Sequence, residues 1–349
     1  MFFVESYYVA IAMCVVTMLC WGSWANTQKL ASKEWRFQLF YWDYCLGVLL
    51  LMVVFALTLG SMGSTGRGFF EDLSQASLRS LGYAFLGGVV FNAANILLVA
   101  AIDMAGMAVA FPVGIGLALV IGVFTNYWNK PEGNPQILFT GVALVVAAII
   151  VDALAYRRLP SSGTTATWKG IALSIVCGVL MGFFYPLVDS SMQSLDTIKT
   201  VSDSGLLTPY TALVFFGLGL FLSSFVFNVA VMKWPFKGDP VPLSDYFTKG
   251  NARLHAVGIL GGVIWGVGMS FNIVASGVAS PAVAYGLGQG ATMVAALWGV
   301  FIWKEFKTAA PGTNRLLALM FALFLIGLSL LVYAKLPGSA EATAALLPF

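Results

Sequence analysis

Apolar runs of about 20 residues follow one another along this chain with short interruptions, and that is the length an α-helix needs to cross a hydrocarbon core of about 30 Å. Within such a core every backbone N–H and C=O must be paired internally, which leaves helices or closed barrels. A barrel would show short alternating segments and far less total hydrophobicity than the 59% apolar residues and 9% charged residues found over 349 positions. With a mean hydropathy of +0.89, the chain is read as an all-α integral membrane protein. Ten spans are predicted, the first from Ser6 to about Gln28 and the rest at about 38–60, 79–101, 105–128, 135–156, 168–190, 206–232, 253–275, 281–303 and 312–335. Residues 1–4 hold no Lys or Arg and no small-residue cleavage site follows the first run, so that run is expected to be a retained span.

The second constraint is an internal repeat. A-V-A-F-P-V-G-I-G at Ala108 to Gly116 returns as A-V-A-Y-G-L-G-Q-G at Ala282 to Gly290, and L-G-G-V at Leu86 to Val89 returns at Leu260 to Val263. The offset is 174 residues in both cases (282 − 108 and 260 − 86), about half the chain. A repeat of that length fits a transporter built from two duplicated bundles, here 1–160 and 161–336, followed by a tail at 337–349. Five helices per half means that the second half enters the membrane from the opposite side, so the expected arrangement is a 5+5 inverted repeat, the usual basis of alternating access. The connections at Asp103–Met104 and Ser276–Ser280 are short enough to make antiparallel hairpins, and longer polar connections fall at 61–78, 191–205 and 233–252.

Thirteen Lys and Arg residues lie in the connections on one side, from Lys29 to Arg315, against Arg67, Arg79, Lys130, Lys199 and Lys335 on the other. That bias predicts both termini outside (periplasmic) in a multi-pass protein of the cell inner (plasma) membrane. The net charge of +3 forms no basic block, so no nucleic-acid partner is expected. Cys14, Cys20, Cys45 and Cys177 all sit in apolar runs and read as buried hydrophobes. His255 is the sole histidine, which leaves little for a metal centre or a Ser-His-Asp site. No enzyme activity and no cofactor are expected; the expected partners are a small-molecule substrate, the lipid bilayer and protons, with oligomeric state left open.

Moving a polar solute requires hydrogen-bonding groups at membrane depth. Asn92 and Asn95 share a helix face, and Gln289 lies in the second glycine run; each is a candidate substrate contact or an interhelical tie. Gly114, Gly116, Gly286, Gly288 and Gly290 read either as close-packing positions or, with Pro112, as helix interruptions lining a cavity. Trp21, Trp24, Tyr185, Trp265, Tyr285 and Trp298 are aromatic candidates, as interface anchors or as stacking faces for a flat uncharged ring. Asp43 in Y-W-D-Y is the candidate proton-coupling group if burial disfavours its charge; its place in the first turns of a span equally suits a helix-dipole role. Glu5, Asp103, Asp152 and Asp189 lie near span ends and are expected at the interface. The first span has no interior acid, which argues against a carrier of lipophilic cations.

Several stretches occur in an order and spacing that resembles the ureide permease family, best known from plants and related to rhamnose and glucose uptake permeases, within the drug/metabolite transporter superfamily. They are G-S-W-A from Gly22, Y-W-D-Y from Tyr41, F-F-E-D-L-S-Q from Phe69, G-G-V-V-F-N-A-A-N from Gly87, N-Y from Asn126, P-Y-T-A from Pro209 and W-G-V-F-I-W-K-E-F from Trp298. By that resemblance Trp24, Asp43, Asn95, Gln289, Trp298 and Glu305 match the residue types of the family pattern. It implies uptake of nitrogen heterocycles such as allantoin, uracil and oxo-purines, driven by protons (symport). The chain departs from the plant pattern in three ways. The segment from Arg157 to Lys169 is short and holds no nucleotide-binding-like motif, no proline follows Trp24, and Asn92 replaces a smaller residue. The expected function is a secondary active permease for a small neutral polar solute, a nucleobase or ureide first, with a sugar permease or a drug/metabolite exporter as alternatives.

Overall fold

The computed structural model describes residues 1–31, 34–63, 65–105, 107–160, 167–201, 203–236 and 238–336. The predicted tail at 337–349 lies outside them. Among the described residues nine helices are long and apolar enough to cross a membrane: α1 (Tyr7–Ala31), α2 (Phe37–Leu57), α3 (Leu78–Ala105), α5 (Pro135–Tyr156), α6 (Trp168–Asp189), α7 (Pro209–Lys233), α8 (Ala252–Ala279), α9 (Pro281–Ile302) and α10 (Thr313–Tyr333). Between α3 and α5 runs α4 (107–129), a composite of Met107–Ala110, a π-helical turn at Phe111–Ile115, and Gly116–Asn129.

Helix ends follow local chemistry. Asn134 Oδ1 accepts the N–H groups of Gln136 and Ile137 at 3.0 and 3.2 Å, with Pro135 in the first turn of α5. Thr208 and Pro209 start α7 in the same way, which moves its beginning from the expected 206. α3 continues to Ala105 because Ile102–Ala105 contains neither glycine nor proline to stop it. α8 likewise runs to Ala279, through the stretch expected to be a connection. The whole reversal into α9 is then made by Ser280 at φ +75°, whose hydroxyl accepts the Val283 N–H at 3.3 Å, and by Pro281. The three longer connections carry short helices at Phe69–Gln75, Leu195–Thr200 and Ser244–Thr248.

The helices pair in a pattern that survives exchange of each helix for the one five places along. α3 packs on α6 and α8 on α1; α3 packs on α7 and α8 on α2; α4 packs on α6 and α9 on α1, while α2 with α7, α5 with α10 and α4 with α9 map onto themselves. Two crossings show why the G-G pairs recur. A Cβ on Gly88 would lie 2.0 Å from the Phe216 carbonyl oxygen of α7, and a Cβ on Gly262 would lie 2.1 Å from the Tyr44 carbonyl oxygen of α2. From the other side of each crossing, Gly219 faces the Phe85 carbonyl oxygen at 2.0 Å and Gly47 that of Ile259 at 2.3 Å. Backbones this close leave no room for any side chain, the small-residue solution to helix association in lipid.

The connections gather at two ends. At one, Phe2 N–H meets the Leu59 carbonyl at 2.6 Å, Asn134 N–H meets that of Ala334 at 2.7 Å, and Lys199 pairs with Glu5 at 2.6 Å. At the other, Lys29 pairs with Glu305 at 2.5 Å, Arg36 donates to the Asp239 carbonyl at 2.8 Å and Ala310 N–H to that of Arg158 at 3.2 Å. The grouping of loops matches the one read from the basic residues. Asp152 differs from its expected interfacial place: it is buried, with Oδ1 unpartnered among the described residues.

Candidate functional site

Two helices lose regularity at repeat-related positions, and a cavity lies beside them. Pro112 cannot donate to the helix ladder, and α4 takes a π turn over Phe111–Ile115. Adding the repeat offset of 174 leads to 285–289 in α9, where the helix stops at Gly288 and resumes at Ala291. The glycines there do different jobs. A Cβ on Gly288 would lie 2.6 Å from the Trp21 ring and one on Gly290 2.3 Å from the Met18 sulfur, so these two are close-packing positions. Gly116 faces open space within 4 Å, so packing does not require a glycine there.

The cavity has a volume of about 240 Å³ and is walled by α1, α3, α4, α6, α8 and α9. Trp21, Trp24 and Gln28 line it from α1, Asn95 from α3, Trp265 from α8 and Gln289 from α9. Trp21 and Trp265 stack with ring centres 5.8 Å apart and planes 12° from parallel, and Phe91 lies 4.5 Å from Trp265. Tyr44 backs this wall, 4.8 Å from Trp24 and 6.3 Å from Trp265. Among the described residues no charged side chain lines the cavity. The polar groups offered are amides: the Gln289 side chain and Asn95 Oδ1 have no hydrogen-bond partner among the described residues. Flat aromatic faces beside unpartnered amides can hold a planar, uncharged, hydrogen-bonding solute.

Asn92 and Asn95 part company in three dimensions. Asn92 is fully buried: its amide donates to Ser223 Oγ at 2.7 Å, Ser224 Oγ at 3.1 Å and the Leu220 carbonyl at 3.2 Å, and its Oδ1 accepts from Tyr41 at 2.8 Å. It ties α3 to α7 and α2 and does not line the cavity. Asn95 donates to the same Tyr41 oxygen at 3.1 Å and does line it. Tyr285 is buried beneath Gly122 and donates to the Met181 and Ala118 carbonyls at 3.0 and 3.3 Å. Tyr185 packs edge-on to it at 5.3 Å, and Trp298 donates to Ser23 Oγ at 2.8 Å, joining α9 to α1. The cavity therefore brings together Trp21, Trp24, Asn95, Trp265 and Gln289, and leaves Asn92, Tyr185, Tyr285 and Trp298 behind or beside it. Gln28, Thr292 and the Phe91 and Phe184 rings also line it; of these only Phe91 had a signal in the sequence, its place in the G-G-V-V-F-N stretch.

Asp43 sits in the second turn of α2 with 1% of its surface exposed. It makes no cap contact to its own helix start. Its Oδ1 accepts from the Tyr246 hydroxyl at 2.5 Å, its Oδ2 from Trp35 Nε1 at 3.3 Å, and His255 Nδ1 lies 3.0 and 3.1 Å from the two oxygens. Gly258 leaves the space that the carboxylate occupies. The cluster joins α2 to α8 and to the short helix Ser244–Thr248. There burial, and next the bond to Asp43, raises the Tyr246 phenol above its ordinary range. His255 is the member that sequence reasoning missed: a lone histidine carries no spacing signal, and its partner lies 212 residues away.

The comparisons with known proteins bear on the whole of this framework. Ureide permease 1 of Arabidopsis thaliana is 24% identical over 95% of this chain and 98% of its own, and ureide permease 2 of the same plant is 24% identical over the same shares. The probable ureide permease A3 of Vigna unguiculata is 22% identical over 89% of this chain and 99% of its own. A solved crystal structure superposes on 99% of this chain and 100% of its own with a TM-score of 0.58 at 15% identity, which shows a shared fold. The ureide permease family profile matches residues 40–164 and 156–334, a span that takes in Asp43, Asn95, Trp265 and Gln289. A multi-pass membrane protein with an amide-and-indole cavity, matched by that profile over most of its length, is a permease and not an enzyme, and the chain belongs to the ureide permease family.

Proposed function

We propose that this permease takes up a neutral planar nitrogen heterocycle, a nucleobase or a ureide such as those its relatives are named for, by secondary active transport. The observation that carries the reading is the cavity itself: stacked indoles, no charge among the described lining residues, and the Asn95 oxygen and Gln289 amide without a hydrogen-bond partner among them. A 5+5 inverted repeat accounts for the exchangeable helix pairing and the matched glycine crossings, and gives the two halves a route between mirror-related states. The lining reaches Gln28 and Ile102 in the last turns of α1 and α3, the end that carries Lys29. With the termini outside the inner membrane, that end is cytoplasmic and this conformation faces inward. Uptake is driven by protons through Asp43, a buried carboxylate bonded to His255, Tyr246 and Trp35. One turn of α2 joins it to the solute site, since Tyr41 bonds Asn95 and Tyr44 packs on Trp24.

The test is uptake by proteoliposomes across uracil, xanthine, allantoin, nucleosides and monosaccharides, with and without an imposed proton gradient. Gradient-dependent accumulation of a heterocycle is expected. Monosaccharide uptake alone would move the assignment to a sugar permease, and binding of lipophilic cations alone to an exporter.

A further inference from the structure

The hydrogen bonds behind Asn95 have a direction, and it decides what the cavity asks of its solute. The chain starts at the Leu220 carbonyl, which can only accept. The hydroxyls of Ser223 and Ser224 both give their protons to that carbonyl, at 3.2 and 2.9 Å, so toward Asn92 they too present oxygen lone pairs. The Asn92 side facing these three groups is therefore its NH2, and Oδ1 faces Tyr41. Tyr41 has one hydroxyl proton, and it is committed to Asn92 Oδ1 at 2.8 Å. All that Tyr41 can offer Asn95 at 3.1 Å is a lone pair, and Asn95 must answer with its NH2. The acceptor left to the cavity is then Asn95 Oδ1, beside the second N–H of the same amide.

We infer that Asn92 and Tyr41 are positioning residues that set Asn95 as a hydrogen-bond acceptor, so that the site requires a ring N–H from the solute at this wall. The inference rests on the reading of the cavity as the solute site. In isolation an Asn amide can turn over, exchanging acceptor for donor at almost no loss of shape. Here turning it would place the Asn95 oxygen against the Tyr41 oxygen, whose only proton points to Asn92. Tyr41, Tyr44 and Asn92 are all fully buried, so no solvent stands ready to repair the mismatch.

The experiment measures equilibrium binding to purified protein of uracil, of 3-oxauracil (ring oxygen in place of N3–H) and of 1-methyluracil, which remove the two ring donors in turn. In the wild-type protein one of the two analogues should bind at least about tenfold more weakly than uracil. In Tyr41→Phe the Asn95 amide is free to turn, and the ratio for that analogue should fall to within about threefold while the protein still binds uracil. Asn95→Ala, which removes the acceptor outright, should give the same levelling and serves if Tyr41→Phe does not fold. A ratio unchanged in either variant would overturn the directional relay. Equal binding of all three compounds by the wild-type protein would overturn the donor requirement. If the wild-type protein binds neither uracil nor any other heterocycle of the uptake panel, the functional reading fails first and the donor requirement with it.

Discussion

Glycine-to-alanine substitution at the two symmetric helix crossings isolates what holds the halves together. At Gly262 the added Cβ would sit 2.1 Å from the Tyr44 carbonyl oxygen and 2.8 Å from the Val48 nitrogen; at Gly88 it would sit 2.0 Å from the Phe216 oxygen and 2.8 Å from the Leu220 nitrogen. The obstructing atoms are backbone, so no rotamer change relieves the clash, and with real contacts at 3.0 Å or more the helices must part by roughly 1 Å in a close-packed interior. Forced overpacking costs about 1–3 kcal/mol, against which alanine returns at most about 1 kcal/mol of helix preference. Gly82 in the same helix α3 has nothing within 4 Å, so Gly82→Ala receives the helix preference alone. The expected order of thermal midpoints for detergent-purified protein is Gly82→Ala at or above wild type, with Gly88→Ala and Gly262→Ala both clearly below it. The Gly262 change should additionally weaken solute binding, because α2 carries Tyr41 and Tyr44 behind the cavity. Equal midpoints for Gly82→Ala and Gly262→Ala would refute the close-approach argument.

Asn95→Ala and Gln289→Ala should each weaken solute binding by about 0.5–1.5 kcal/mol, roughly two- to twelvefold, with the thermal midpoint nearly unchanged; loss of folding instead would assign these amides to helix association. Asp43→Asn should abolish gradient-driven accumulation while substrate exchange and binding persist, and undiminished accumulation would remove Asp43 from the coupling mechanism. Difference titration of wild type against Tyr246→Phe should place the Tyr246 phenol above the ordinary tyrosine range, because burial and the Asp43 carboxylate both disfavour phenolate. A folded-state value raised above the unfolded one keeps its stabilisation below the unfolded value of about 10 and loses it as pH rises further, so the phenol's own ionisation adds no pH dependence to stability below about pH 9. Ser204→Cys should react with an impermeant thiol reagent on intact cells and Thr248→Cys only after membrane disruption, both positions being exposed; the reverse pattern would invert the assigned orientation.

The spans were legible in the sequence because lipid imposes length and apolarity on each one independently, and the loop grouping was legible because most basic residues fall in alternate connections. The repeat was legible as well, and with it the G-G pairs, but not what they touch. Almost every span is apolar around its whole circumference, so no face is marked as interior and the pairing of helices has no signature in any single one. Asn92 and Asn95 show the consequence: three residues apart on one helix face, they read alike, and only the placement of Ser223, Ser224 and Tyr41 makes one a structural tie and the other a cavity wall. His255 shows it again, an isolated residue until the fold sets it 3.0 Å from Asp43. The chain's chemistry determined that it crosses a membrane and about how many times, and it singled out a few amides and aromatic rings as candidate contacts for a solute. Which of those groups meet one another was decided by helix packing, where backbone approach at a few glycines settles register between surfaces that hydrophobicity alone cannot distinguish.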